Sequence, residues 1–301
     1  MSAATNSAAA AVFDGRNARR IVPTGAALGA DVLGIDPANP TDADIALVKD
    51  TIRDHLVVRL RGYTISDPEF SRFAARFGEL EGSPAYSRSR AVYVPECPEI
   101  TIISNVLEDG QPIGEHGDGE LNWHSDKGFV ELPSALTFLL GREVPASGGN
   151  TSFCNMYRAA DRIPADLRAR LADLMLKHQR SHTAQGARRP GYRDIGTDDP
   201  RELPGPQHPI LRSHPDSGLK ALYLGRRFGA YIPGLPLAES ERVVDELWGY
   251  AAHPDDVWAQ EWQPGDLVIW DNRCSTHRRD AFPGAGRRRM HRLTTVSERP
   301  V

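Results

Sequence analysis

Apolar residues in this chain gather mostly into short runs separated by glycine, proline and charged residues, a strand rhythm interrupted in a few places by helical spacing. Ile21-Val22, closed by Pro23, and Ala30 to Ile35, broken by glycine, read as the opening strands. From Thr41 the period changes, with Ile45, Val48 and Ile52 recurring at helical intervals. Leu56 to Leu60 is a strand ended by Gly62. Ser66-Asp67-Pro68-Glu69 has the form of a capping box and opens a helix with Phe70, Phe73, Ala74 and Phe77 on one face. Further strands are expected over Ile100 to Val106, Ser134 to Leu140, Leu219 to Leu224, Asp266 to Trp270 and Arg292 to Val296. Another, Thr151-Ser152-Phe153, follows the turn Ser147-Gly148-Gly149-Asn150. Two more helices are expected: Ile163 to Lys177, with Leu167, Leu171, Leu174 and Met175 inward, and Ser240 to Ala252.

Many separated strands, few helices and no repeat of fixed period predict a mainly β fold with helical additions, built as a double sheet. The 301 residues are 40% hydrophobic, enough for one large core, and no linker divides them. Residues 1–15, small and Ala/Ser-rich, read as a flexible tail, and 16–301 as a single domain. The polar, glycine-rich segment from Leu107 to Leu121 reads equally as a solvated loop or as a lid over a site. Gln185 to His208 is a long polar excursion.

A net charge of −4 gives no general pull toward nucleic acid or an anionic membrane, so neither is expected as a partner. No apolar run reaches the roughly 18 residues of a membrane span. Cys97, Cys154 and Cys274 are odd in number and far apart, which argues against a disulfide framework and for a reducing, cytoplasmic setting.

The chemistry concentrates in His124-Ser125-Asp126 and in a distant His277 at the end of an apolar strand, with Arg288 eleven residues beyond it. Two imidazoles and one carboxylate can occupy one face of a metal and leave the opposite face open. Residues i and i+2 of an extended segment point to the same side, so His-x-Asp offers two ligands at once. A nucleophilic triad is rejected, because Ser125 would point away from both neighbours and no Gly-x-Ser-x-Gly elbow occurs. Zinc accepts the same three ligands, so a zinc hydrolase stays open on the metal residues alone. His178, His182, His208, His214 and His253 have no companion pattern and read as structural or surface residues. On an extended strand Arg288 and Arg292 share a face. A buried guanidinium there suits a carboxylate, which zinc hydrolysis does not need. Arg292 as a purely structural strand residue also stays open.

Trp123-His124-Ser125-Asp126, Gly148-Gly149-Asn150-Thr151, Trp270-Asp271-Asn272 to His277, and Arg288 through Arg292 together resemble the taurine / 2,4-dichlorophenoxyacetate dioxygenase (TauD/TfdA) family. Phe77-Gly78-Glu79-Leu80 and His208-Pro209-Ile210 extend the likeness. The resemblance implies a double-stranded β-helix (jelly roll) holding Fe(II), with 2-oxoglutarate and O2 as co-substrates and succinate and CO2 as products. It implies His124, Asp126 and His277 as metal ligands, with Thr151 and Arg288 on the distal carboxylate of 2-oxoglutarate. Arg292 takes the position that binds the substrate sulfonate in taurine enzymes, and Tyr86 matches an assisting tyrosine. Three positions depart from the taurine pattern. Ser83 stands for a histidine, Lys127 for a small apolar residue and Glu120 for an asparagine. The expected substrate is therefore a small organic acid other than taurine, contacted by Tyr86, Glu120, Lys127 and Arg292 and either hydroxylated or cleaved through hydroxylation. The resemblance also implies a homodimer or homotetramer. A non-catalytic jelly roll that binds a small acid is the contrasting reading, and its mark would be a missing ligand.

Overall fold

A computed structural model describes residues 18–82, 92–117, 121–183, 187–189, 192–284 and 286–301. Two facing sheets make the frame. The larger runs in the order Arg20–Pro23, Ala30–Leu33, Val57–Leu60, Leu267–Asp271, Ser134–Glu143, Arg289–Val296, Cys97–Ser104 and Tyr93–Val94, with Glu115–His116 beside Cys97–Ser104. The smaller runs Val257–Gln260, Thr151–Asn155, Ser275–Arg279, Leu121–His124. Apart from Ala30–Leu33 on Val57–Leu60 and Glu115–His116 on Cys97–Ser104, the pairings in both sheets are antiparallel. This is the jelly roll expected from the sequence.

The central strands of the larger sheet are buried on both faces, and residue parity divides their work. Leu136, Phe138 and Leu140 join Ile100, Ile102, Leu267, Ile269 and Leu293 in one apolar cluster. That cluster takes in the inward faces of the helices Asp42–His55 (Ile45, Val48, Ile52) and Asp67–Ala75 (Phe70, Phe73). Both helices begin with a complete capping box, on Thr41 with Asp44 and on Ser66 with Glu69, satisfying amide donors that would otherwise be orphaned. Residues of the other parity, Leu139, Val268, Trp270, Ile103 and Met290, face the smaller sheet and its Phe153 and Cys154. The candidate site opens in this second layer. Cys97, Cys154 and Cys274 are free and buried. No helix among the described residues is long and apolar enough to cross a membrane.

Two expectations are corrected. The helix expected over Ile163 to Lys177 is only Ala165–Leu171, set off by Pro164 from a separate helix, Met156–Arg162, and followed by a strand, Met175–His178. Pro164 lacks the amide a continuous helix needs, and burial of Leu176 and His178 follows the period of a strand instead. The segment from Leu107 is not a bare loop. Leu107–Glu108 and Gln111–Pro112 form a small hairpin around Asp109 (φ 49°) and Gly110 (φ 75°), both in the left-handed region that two-residue hairpin turns favour. Residues 118–120 and the tail 1–17 lie outside the described residues.

Candidate active site

His124 and His277 face each other across neighbouring strands, in register. His124 closes its strand, and Asp126 sits in the turn that follows, where Lys127 takes φ 52°. A strand end plus a turn thus replaces the extended His-x-Asp expected from the sequence, yet both side chains reach one cavity wall with His277. His124 Nε2 lies 3.9 Å from Asp126 Oδ1, and His277 Nε2 lies 4.0 Å from Asp126 Oδ2. All three ligand atoms fall within 4.8 Å of one another. His124 Nδ1 donates to the Asn122 carbonyl at 2.7 Å, which leaves the Nε2 lone pair facing the other two ligands.

Buried partners hold Asp126 in place. Thr137 Oγ1 donates to its Oδ2 at 2.7 Å, and Asn272 Oδ1 accepts from its backbone amide at 3.1 Å. Asn272 Oδ1 also accepts from Trp270 Nε1, while its Nδ2 donates to Thr137 Oγ1 at 2.8 Å. Burial keeps both imidazoles neutral, pushing His124 well below its ordinary value and lowering His277. Burial alone would raise Asp126, but the two imidazoles beside it, the Arg292 charge and the Thr137 hydrogen bond hold it below the usual carboxylate range. Neutral imidazoles beside an ionised carboxylate are the protonation states that a divalent metal requires, so the donor set fits one.

One pleat along the smaller sheet, Thr151 lines the same cavity. Its Oγ1 accepts from Trp262 Nε1 at 3.0 Å. An indole N–H can only donate, so the Thr151 proton remains for another acceptor. Arg288 immediately precedes the strand Arg289–Val296 and shares cavity-facing parity with Arg292, as expected. The Arg288 side chain is packed on the turn Gly148-Gly149. A Cβ at Gly149 (φ 64°) would sit 3.2 Å from Arg288 Cδ and from Phe282 Cδ1. Arg288 Nε is buried and meets no hydrogen-bond acceptor among the described residues. A buried guanidinium so placed fits an anionic group arriving from the cavity.

Arg292 reaches the metal end, with Nη1 3.8 Å from Asp126 Oδ1. Lys127 does not line the cavity. Its ammonium is bound by Glu81, which also accepts from Thr294 Oγ1 at 2.6 Å and Ser134 Oγ at 3.0 Å. Its left-handed backbone follows the turn out of the ligand wall, and its charge is matched by Glu81, so the expected substrate contact would have to draw on an ammonium already paired. Tyr86, Ser83 and Glu120 lie outside the described residues.

His178, His182, His208 and His214 are all buried, as structural histidines are. His214, Asp271 and Cys274 also cluster closely enough to hold an ion. Their atoms are already used. His214 Nε2 pairs with Asp271 Oδ2 at 3.0 Å, its Nδ1 accepts the amides of Asp216 and Ser217 at 3.3 Å, and Arg273 grips the same carboxylate. Sequence reasoning missed Thr137, Trp262, Arg279 and Phe282. Arg279 alone carried a local signal, since it stands two residues after His277 and so on the same face.

The family described as "Taurine catabolism dioxygenase TauD, TfdA family" matches residues 19–294. Among curated proteins, an alpha-ketoglutarate-dependent 2,4-dichlorophenoxyacetate dioxygenase of Burkholderia sp. (strain RASC) is 31% identical, over 85% of this chain and 87% of its own. A pentalenolactone F synthase of Streptomyces arenae is 32% identical, over 92% of this chain and 95% of its own. A solved structure, AAD-2 in complex with Mn(II) and N-oxalylglycine, superposes with a TM-score of 0.75 at 25% identity, covering 94% of this chain and 99% of the other.

Proposed function

The chain belongs to the TauD/TfdA family and is an oxidoreductase of the 2-oxoglutarate-dependent dioxygenase class, and from that premise we propose that it uses Fe(II) to hydroxylate a small organic substrate bearing a carboxylate or sulfonate. One observation carries the reading: His124, Asp126 and His277 meet at one end of a cavity whose other end presents Thr151 and Arg288. A three-ligand face leaves positions open, as an oxygen-activating metal needs. The Mn(II) and N-oxalylglycine in the related structure are of the same kinds, a divalent cation and a dicarboxylate.

When bound, Fe(II) and 2-oxoglutarate supply oxidative decarboxylation to succinate and CO2, with one atom of O2 passing into a substrate C–H bond. His124, Asp126 and His277 would hold the metal, with the Asn122 carbonyl and Thr137 fixing the orientation of His124 and Asp126. Thr151 would donate the proton that Trp262 leaves free, and Arg288 would add a charge-assisted contact, both to the distal carboxylate. Arg292, beside Asp126, would receive the anionic group of the substrate. The curated relatives named above are a 2,4-dichlorophenoxyacetate dioxygenase and a pentalenolactone F synthase, so the family premise leaves the substrate to the cavity. A zinc hydrolase would use the same ligands but has no use for the Thr151–Arg288 end.

The test is an anaerobic titration of the Fe(II)–2-oxoglutarate protein with sulfonates, aryloxyalkanoates and amino-acid derivatives, followed by oxygen and succinate measurement. A substrate should perturb the metal-to-ligand absorption band and accelerate succinate release. A protein that forms no such band with Fe(II) and 2-oxoglutarate contradicts the reading.

A further inference from the structure

Arg279 is the cavity residue that neither the metal ligands nor the Thr151–Arg288 pair accounts for. It is 4% exposed, lies two residues beyond His277, and pairs in register with Thr151. The smaller sheet thus presents two successive rows to the cavity. His124 and His277 form the first, and Leu121, Arg279 and Thr151 form the second, roughly 6.5 Å further along the strands. A five-carbon dicarboxylate is long enough to bridge the rows. Arg279 and Arg288 also both lie over the Phe282 ring, with their guanidinium carbons 5.2 Å and 5.7 Å from its centroid. Phe282 and Arg288 are in turn seated on Gly148-Gly149, where any Cβ would crowd them. Burial, and then the Arg279 charge, lower the Arg288 guanidinium to about 9, still charged at neutral pH. Two like charges lining one buried end of the cavity favour an anion arriving beside both.

We propose that Arg279 is a second anion-binding residue of the co-substrate end, sharing with Arg288 and Thr151 the distal carboxylate of 2-oxoglutarate. The proposal rests on the 2-oxoglutarate reading above. A carboxylate offers about four acceptor sites, enough for one hydroxyl and two guanidinium groups. Because Phe282 and the glycine turn set the stems in advance, little side-chain freedom is lost on binding, and the selectivity falls on ligands with a carboxylate at the far end.

Calorimetry with the Mn(II)-loaded protein tests this without turnover. Two ligands are compared: 2-oxoglutarate, and 2-oxopentanoate, which keeps the keto-acid head and lacks the distal carboxylate. Arg279→Met keeps the stem against Phe282 and removes the charge. It should weaken 2-oxoglutarate by roughly 10- to 100-fold, the range for a lost hydrogen bond to a charged group, and leave 2-oxopentanoate unchanged. Arg279→Lys, which restores the charge without the planar fork, should recover part of the preference and guards against a folding defect in the first variant. Arg288→Met, measured in parallel, should abolish most of the preference. If Arg279→Met keeps the full preference while Arg288→Met loses it, the role of Arg279 is overturned and the 2-oxoglutarate reading stands. Equal weakening of both ligands by Arg279→Met makes Arg279 structural and overturns the proposal as well. If neither variant alters the preference, the 2-oxoglutarate reading falls with it.

Discussion

Thr137→Val removes one hydroxyl, at nearly constant shape, from a site with no solvent exposure. Two contacts go with it. The Asp126 carboxylate loses a 2.7 Å hydrogen bond, and Asn272 Nδ2 loses its 2.8 Å acceptor, keeping only a 3.4 Å contact to the Ala135 carbonyl. A hydrogen bond to a charged group contributes about 1.5–3 kcal/mol, and a buried donor left unsatisfied costs about 1–3 kcal/mol. The two losses share one network and do not add fully. We therefore expect the metal-free variant to lose about 2–4 kcal/mol in urea unfolding. Metal binding should suffer separately. The freed carboxylate is more basic, which alone would favour a cation, but it is no longer held toward the two imidazoles. Loss of such an orienting partner typically costs about 10- to 100-fold in affinity. Mn(II) calorimetry on variant and parent, both shown folded by circular dichroism, reads that figure. A variant that loses the expected stability yet binds Mn(II) like the parent would show that Thr137 supports the sheet and not the metal ligand, and the reasoning would be refuted.

Arg292→Ala should suppress substrate-stimulated succinate release while largely sparing the slow release seen without substrate. Equal loss of both would assign Arg292 to the co-substrate instead. Gly149→Ala forces an L residue to φ 64° and sets a Cβ 3.2 Å from Arg288 and Phe282. It should cost about 1–3 kcal/mol of stability and weaken 2-oxoglutarate more than Mn(II) in calorimetry, and the reverse order would count against the glycine turn as the seat of Arg288. Asp67 ties the start of its helix to Arg142 Nη2 at 2.5 Å and His291 Nδ1 at 2.7 Å. Burial alone would raise Asp67, but the His291 and Arg142 hydrogen bonds and charges outweigh it and lower the carboxyl to about 2. A folded value below the unfolded one near 4 means stability present above about pH 4 and lost as pH falls toward 2. The stability gap between parent and Asp67→Asn should accordingly shrink across that window in acid-unfolding curves, and a gap that stays constant would sink the linkage.

The strand rhythm made the frame legible, because a sheet buried on one or both faces imposes its period directly on the sequence. Thr41 and Ser66 marked their helices for a similarly local reason, since a capping box is complete within four residues. The helix expected over Ile163 to Lys177 failed where local spacing and tertiary demand diverged. Leu167, Leu171 and Leu174 fit a helical stripe, but Leu176 is wanted in a strand that pairs with Gln207–Pro209. In the site, His124, Asp126 and His277 stood out because a metal needs particular donor atoms, and few residue types supply them. Arg288 and Arg292 were placed on one face by parity alone. Thr137 and Trp262 were invisible, since nothing near them in the chain marks a hydroxyl that reaches Asp126 or an indole that reaches Thr151 from 111 residues away. The turn at Lys127 was not legible either, and no composition reveals that its ammonium meets Glu81.

The most direct measurement is succinate formed from 2-oxoglutarate by the Fe(II)-reconstituted protein, parent against His124→Ala, Asp126→Ala and His277→Ala, with folding of each checked by circular dichroism. Three ligand atoms within 4.8 Å of one another form a single centre. The account therefore predicts Fe(II)-dependent succinate from the parent and none above background from any of the three folded variants. Succinate at the parental rate from even one folded variant would contradict the three-residue metal site on which the whole reading stands.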